Sequence, residues 1–249
     1  MEKNVIEIDR LVKKYGATLA VNDLTLHIPR GELFVLLGPN AAGKTTTLKI
    51  IAGLLKPTDG TVRILGADVV TAYAEAKKHL RFVPDFPFLY DKLSGMEFLE
   101  FIADLYGIPR QEMLAQSEIL LTDFNLWDQR HELIESYSHG MRQKLIITST
   151  FLTHSPLIVI DEPMVGLDPP SAKTFKALLL QHVRDGGTVL LSTHTLSLAE
   201  EVAHRIGVLH KGRLIACGSL EALRQQAGGI RELEQVFIKL TQEETGAPA

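Results

Sequence analysis

The stretch Gly38-Pro39-Asn40-Ala41-Ala42-Gly43-Lys44-Thr45-Thr46 limits what this chain can fold into more than any other. An apolar run, Leu33 to Leu37, precedes it and reads as a buried strand. Leu48, Ile50, Ile51 and Leu55 follow at helical spacing. Strand, glycine turn, Gly-Lys-Thr and helix, in that order, make a loop suited to phosphate. Gly38 and Gly43 have no Cβ, so successive backbone N–H groups can close on an anion. The helix adds unpaired N-terminal donors and the positive end of its dipole. Lys44 is then placed to neutralise the β- and γ-phosphates of a nucleotide, and the Thr45 hydroxyl to ligate Mg²⁺. The bland alternative is an ordinary glycine turn between a strand and a helix.

With 249 residues, 45% of them hydrophobic, the chain can bury a sizeable core. A formal net charge of −4 argues against binding nucleic acid through bulk charge. The single cysteine, Cys217, allows no internal disulfide and fits a reducing compartment. No apolar signal segment follows Met1-Glu2-Lys3-Asn4, and no run nears the ~20 residues of a membrane helix. The expectation is a soluble chain whose membrane role, if any, passes through a partner.

Val5 to Ile8 and Leu24 to Ile28 alternate at period two and read as antiparallel strands, with Lys13 to Gly16 as a turn. Thr61 to Gly66 adds a strand, 72–79 a helix and Leu80 to Val83 a strand. From about 91 to 154 strand signals vanish. Helices are expected from Met96 to Tyr106, stopped by Gly107-Ile108-Pro109, then over 111–124, 126–135 and from near Gly140 to Thr153. Five of the ten Phe residues fall between Phe82 and Phe101, which suits a helical core better than a gripping surface. Strands return at Leu157 to Ile160 and Thr188 to Ser192, with helices over 170–184 and 198–204. A hairpin closes around His210-Lys211-Gly212. An amphipathic helix covers 231–241, and the polar tail Thr241 to Ala249 is expected to fray. Alternating strands and helices call for a mostly parallel sheet.

Leu157-Ile158-Val159-Ile160-Asp161-Glu162 delivers two carboxylates at the C-terminal end of a buried strand, where α/β sheets place ligands. Asp161 suits Mg²⁺ and Glu162 suits a general base for an attacking water. Taken alone, a solvated acidic turn explains the pair equally well.

Tyr137-Ser138-His139-Gly140-Met141-Arg142-Gln143-Lys144 resembles the signature motif of ATP-binding cassette (ABC) proteins. Gly166-Leu167-Asp168 resembles their D-loop and Ser192-Thr193-His194 their switch histidine. Tyr15 sits where that family has its adenine-stacking aromatic, and the segment Leu233 to Leu240 is similar to the ending of single-cassette export subunits of the ABC-2 kind. The resemblance covers nearly the whole chain in order and spacing. It implies an α/β P-loop NTPase fold: a RecA-like, mostly parallel sheet core with an N-terminal antiparallel β subdomain and an all-helical insertion. The nucleotide-binding domain would span 1–227, with its core over about 1–90 and 155–227 and the helical subdomain over about 91–154. A C-terminal helix and tail would occupy 228–249. The resemblance also implies an ATPase of a membrane transporter, an exporter by its ending, with ATP and Mg²⁺ as cofactors. Two cassettes, a homodimer or a pair of close paralogues, would sandwich ATP. They would sit peripherally on the cytoplasmic face of the membrane beneath a separately encoded multi-spanning permease, with no nucleic-acid partner. Catalysis would fall to Glu162, His194 and Lys44. Nucleotide contacts would come from Tyr15, from Gly38, Pro39, Asn40, Ala41, Ala42, Gly43, Lys44, Thr45 and Thr46, and across the dimer from Ser138, Gly140 and Asp168. The metal would take Thr45, Asp85 and Asp161.

Three departures from the family pattern stand out. Ala41 replaces a common glycine, at a cost of about 1 kcal/mol if its φ is positive. His139 and Met141 replace the glycine and glutamine of the commonest signature. Asp85, in Phe82-Val83-Pro84-Asp85, stands where the family has a metal-sensing glutamine, and adds negative charge near phosphates. The segment 85–93, with Phe86, Phe88 and Tyr90, is expected to line the groove that receives a helix of the permease. A different class of function, an ATP-gated assembly module with little hydrolysis, stays open on Asp85 and the altered signature. A capping role for His194 on the following helix also stays open. A cassette enzyme of DNA repair or translation usually has tandem cassettes or a long coiled-coil insertion, and nothing in this sequence suggests either.

Overall fold

The structure is a computed structural model that describes residues 4–86 and 88–245. Residues 1–3, Pro87 and the last four residues of the expected frayed tail lie outside the described residues. Two sheets stack on a shared core. The first is antiparallel, in the order β2-β1-β4-β5: β1 Asn4–Tyr15, β2 Thr18–Pro29, β4 Asp59–Ile64 and β5 Ala67–Asp68. The second has six strands in the order β10-β9-β3-β8-β7-β6. These are β3 Leu33–Leu37, β6 Leu80–Val83, β7 Leu157–Asp161, β8 Thr188–Thr193, β9 Arg205–His210 and β10 Arg213–Gly218. Strands β6, β7, β8, β3 and β9 run parallel, and β10 closes the edge antiparallel to β9.

Every residue of β3, β7 and β8 is buried, as strands covered on both faces must be. Alternate side chains serve two cores. Phe34, Leu36, Val159 and Leu190 pack with α1 (Lys44–Ile51) beneath the antiparallel sheet. Val35, Ile158, Ile160 and Leu191 pack on the opposite face with α6 (Pro169–Arg184), α7 (Leu196–Val202) and α8 (Leu220–Gln226). Helix α9, Leu233–Thr245, adds Leu233, Val236 and Leu240 to that second core. A third core joins α3 (Gly95–Tyr106), α4 (Arg110–Asp123) and α5 (His139–Leu152) through Leu99, Met113, Leu121 and Leu145. The short helix α2, Tyr73–Lys78, precedes β6. Ser94 caps α3 in a reciprocal box with Glu97, and Gly107 ends it at φ 69°.

Four readings of the sequence need correction. β1 and β2 are each 12 residues long, so Lys13 and Tyr15 are strand residues. Shifts in register and left-handed residues at Arg10 (φ 48°) and Asp23 (φ 55°) break the alternation that would have revealed their length. No helix spans 126–135: Asn125 turns left-handed (φ 52°), and only a 3₁₀ turn forms at Ile134–Ser136. The segment pairs instead with the entry to α3, through Ile134 N–H to Leu93 O (2.8 Å) and Met96 N–H to Arg130 O (2.7 Å). Helix α8, capped by Ser219, was not expected, and α9 runs on to Thr245. Of the five clustered Phe residues only Phe98 is buried; Phe86, Phe88 and Phe101 are exposed, so the core reading fails for those three.

Candidate functional site

The parallel register builds the site. Pairing Asp161 with Ser192 brings the ends of β7 and β8 level, beside the end of β3 where Leu37 pairs with Thr193. The phosphate loop leaves β3 at that edge. Gly43, the N-cap of α1, has φ 103°, and a Cβ there would lie 2.4 Å from Ala20 O. A Cβ at Gly38 would lie 2.4 Å from Leu209 O. Ala41 does adopt a positive φ, 63°, so the strain expected of it is present. Lys44 is 5% exposed and donates to Gly38 O (2.7 Å) and Pro39 O (3.2 Å).

Glu162 meets this loop. Its Oε1 is 3.4 Å from Lys44 Nζ and 2.9 Å from His194 Nδ1, while Oε2 accepts from the Thr193 hydroxyl at 3.2 Å. Glu162 is itself left-handed, φ 46°, a strained backbone of the kind held at functional positions. His194 caps no helix: the N-cap of α7 is Thr195, and the His194 ring turns to Glu162. In the sequence Ser192 stands as the end of a strand, and Ser192 and Thr193 otherwise only as neighbours of His194. Both hold a carboxylate, Ser192 donating to Asp161 and Thr193 to Glu162.

Asp161 is fully buried, and its Oδ2 has no hydrogen-bond partner. Burial pushes its pKa up, offset in part by Ser192 and the nearby Thr45, while Asp85 and Glu162 push it further up. Asp85 itself is exposed, in the loop after β6, and Val83 beside Ile160 brings that loop level with the end of β7. No group of three or more His, Cys, Asp or Glu converges as a cation cage among the described residues. A buried orphan carboxylate oxygen beside a threonine hydroxyl is instead a donor set for a hard cation that draws its other ligands from phosphate and water. Tyr15 stands at the tip of the β1–β2 hairpin, about half exposed, with Lys13 Nζ 5.2 Å from its ring centre.

The remaining candidates form a second group. Ser138 is the N-cap of α5 and accepts from Met141 N–H at 3.2 Å. A Cβ on Gly140 would lie 2.5 Å from Gly166 O. Asp168 caps α6 through Ser171 N–H (2.9 Å) and pairs with Lys144 Nζ at 2.7 Å. Lys144 holds Asp168 well below the ordinary carboxylate pKa. The signature segment and the D-loop segment are therefore in contact, a link that sequence order does not express.

A phosphate loop at the C-terminal edge of a parallel sheet, with an Asp-Glu pair at the end of the next strand but one, defines a P-loop nucleotide hydrolase. Comparison with known proteins narrows this. The sequence profile described as "ABC transporter" matches residues 21–165. The chain is 36% identical over 217 residues to human ATP-binding cassette sub-family A member 2, covering 86% of this chain and 9% of that protein. It is 36% identical to the daunorubicin/doxorubicin resistance ATP-binding protein DrrA of Streptomyces peucetius, covering 90% of this chain and 68% of that one. A solved ATP-binding subunit of an ABC transporter superposes with TM-score 0.90 at 34% identity, covering 95% of this chain and 99% of the other. A dimeric post-hydrolysis cassette bound to ADP and phosphate superposes with TM-score 0.76 at 25% identity, covering 86% and 98%. The chain belongs to the ABC transporter family and carries its ATP-binding cassette. No helix among the described residues is long and apolar enough to cross a membrane.

Proposed function

We propose that this chain is the ATP-hydrolysing subunit of a membrane exporter and works in pairs, each ATP held between the phosphate loop of one cassette and the signature segment of the other. The reading is carried by one observation: Glu162 stands between Lys44 and His194 at the mouth of the phosphate loop. Residues 38–46 wrap the β- and γ-phosphates, and Tyr15 stacks on adenine. The γ-phosphate competes with Glu162 for Lys44 and leaves the carboxylate free to take a proton from the attacking water. His194 then orients that water against the phosphoryl group. Mg²⁺, with Thr45, Asp161 and the Asp85 loop to hold it, would neutralise charge on the phosphate oxygens. Ser138 and the Gly140 N–H, at the start of α5, supply donors to the partner's γ-phosphate, with Asp168 beside them. Loss of the γ-phosphate removes the attraction between the two cassettes.

The membrane partner is a separately encoded permease, and the cassette sits peripherally at its cytoplasmic face. Phe86 (72% exposed), Phe88 (84%) and Tyr90 (52%) are left at the surface, Phe86 beside the His139 ring and Tyr90 beside Phe101. None of the three lines the groove of about 730 Å³ between the helical segment and the sheet core, contrary to the expectation for residues 85–93. Leu54, Phe82, Leu105, Tyr106 and Ile146 line it, with Arg81 stacked 3.6 Å from the Tyr106 ring centre. That much exposed aromatic surface has the character of a protein-docking site. Export as the direction of transport draws on the drug-resistance relative. The test is Mg²⁺-dependent ATPase activity measured across protein concentration. It rises more than linearly if two chains make the site; strict proportionality from the lowest concentrations contradicts pairing.

A further inference from the structure

Lys144 is 8% exposed, on the inner face of α5. A buried ammonium needs a counter-charge, and its only ion pair among the described residues is with Asp168 Oδ2, at 2.7 Å. The neighbouring Gln143, 1% exposed, donates to Pro163 O at 3.4 Å. One turn earlier the Gly140 Cα packs on Gly166, and the His139 ring covers the same glycine. Three contacts thus tie α5 to the segment 163–168, which starts one residue after Glu162. Two of them are fixed: the glycine contact by lack of a Cβ, the amide by burial. The third, at the end of the segment that would face the second cassette, is the charge-assisted hydrogen bond from Lys144 Nζ to Asp168 Oδ2.

We propose that Lys144 is a positioning residue for hydrolysis: by holding Asp168 it fixes the loop from Pro163 to Asp168 against the signature helix, and so sets the reach of Glu162. This rests on the reading of Glu162 as the general base. Lys144 touches no substrate and acts through Asp168. Asp168 also caps α6, so the pair couples three elements: α5, the loop and α6. A side chain acting this way affects turnover and leaves the ATP affinity of the single cassette alone, since Tyr15 and residues 38–46 lie on other elements and Ser138, Gly140 and Asp168 would meet only the partner's nucleotide.

The test is Lys144→Met, with Lys144→Gln in its place should the Met variant not fold, and Lys144→Arg as the conservative variant. ATP affinity is read by titrating a fluorescent ATP analogue, and kcat and KM by phosphate release. The proposal expects kcat of the Met variant to fall about tenfold or more while affinity stays within about twofold, and Lys144→Arg to recover most of the loss. Asp168→Asn keeps the helix cap, and adding Lys144→Met to it should cause little further loss. A folded Lys144→Met protein with kcat within about twofold of wild type overturns the proposal, as do losses that add in full in the double variant. Wild type and Glu162→Gln run alongside. If wild type hydrolyses ATP and Glu162→Gln does not, a null result at Lys144 sinks this inference alone; if neither hydrolyses, the reading beneath it falls.

Discussion

Glu162→Gln separates the chemistry of this site from its binding. The carboxylate lies 3.4 Å from Lys44 Nζ and 2.9 Å from His194 Nδ1, and its side chain is only 16% exposed. The amide keeps the shape and can still accept from the Thr193 hydroxyl, but it cannot take a proton. Loss of a general base lowers turnover by roughly 10²- to 10⁴-fold. Affinity moves the other way. A carboxylate about 4 Å from a phosphate charge, at an effective dielectric of about 20, is repelled by at most about 4 kcal/mol. Lys44 offsets most of that, and a residual of about 1 kcal/mol corresponds to roughly fivefold tighter ATP binding in the variant. Isothermal titration with ATP measures the affinity, and phosphate release at saturating ATP measures turnover. A variant that keeps more than about a tenth of wild-type kcat, or binds ATP more weakly, refutes the role given to Glu162.

Asp161 yields a stability test. Burial raises its folded pKa, so its contribution is fully present below the unfolded value and lost as pH rises through the folded value; above the unfolded value the buried carboxyl is a burden. Asp161→Asn should therefore raise the melting temperature of the nucleotide-free protein by about 2–4 °C per kcal/mol relieved while abolishing Mg²⁺-dependent hydrolysis. Scanning calorimetry and phosphate release decide it, and a lower melting temperature would speak against an uncompensated buried charge. Phe88→Ala, at a side chain 84% exposed, should leave the melting temperature within about 1 °C and weaken co-purification with the permease. Unchanged capture would move the docking surface elsewhere.

What could be read from the sequence was what the chain writes locally. Residues 38–46 are contiguous, and the glycines and lysine declare the loop's backbone. The same holds for Asp161-Glu162 at the end of a run buried on both faces. The link from Glu162 to His194 crosses from one strand to the next and appears only once parallel register puts Asp161 beside Ser192. The contact of Lys144 with Asp168 spans 24 residues and two helices, and no periodicity signals it. Residues 126–135 have an apolar pattern that satisfies a helix on paper; their backbone pairs with 93–96 instead, a tertiary choice that overrides propensity. Phe101 looks like a core residue by type and is exposed, because residue type does not record which apolar side chains stay at the surface; Phe86 and Phe88 are marked for a partner by the family resemblance alone.

The pairing of two cassettes around ATP is tested most directly by sedimentation of Glu162→Gln protein, with and without ATP, and again with Ser138→Arg added. The single variant should sediment near the 27.6 kDa of one chain without nucleotide and at about twice that mass with it, while the double variant binds ATP yet stays single. A Glu162→Gln protein that holds ATP and keeps the mass of one chain at every concentration would contradict the account, as would a pair that forms equally well with Ser138 replaced.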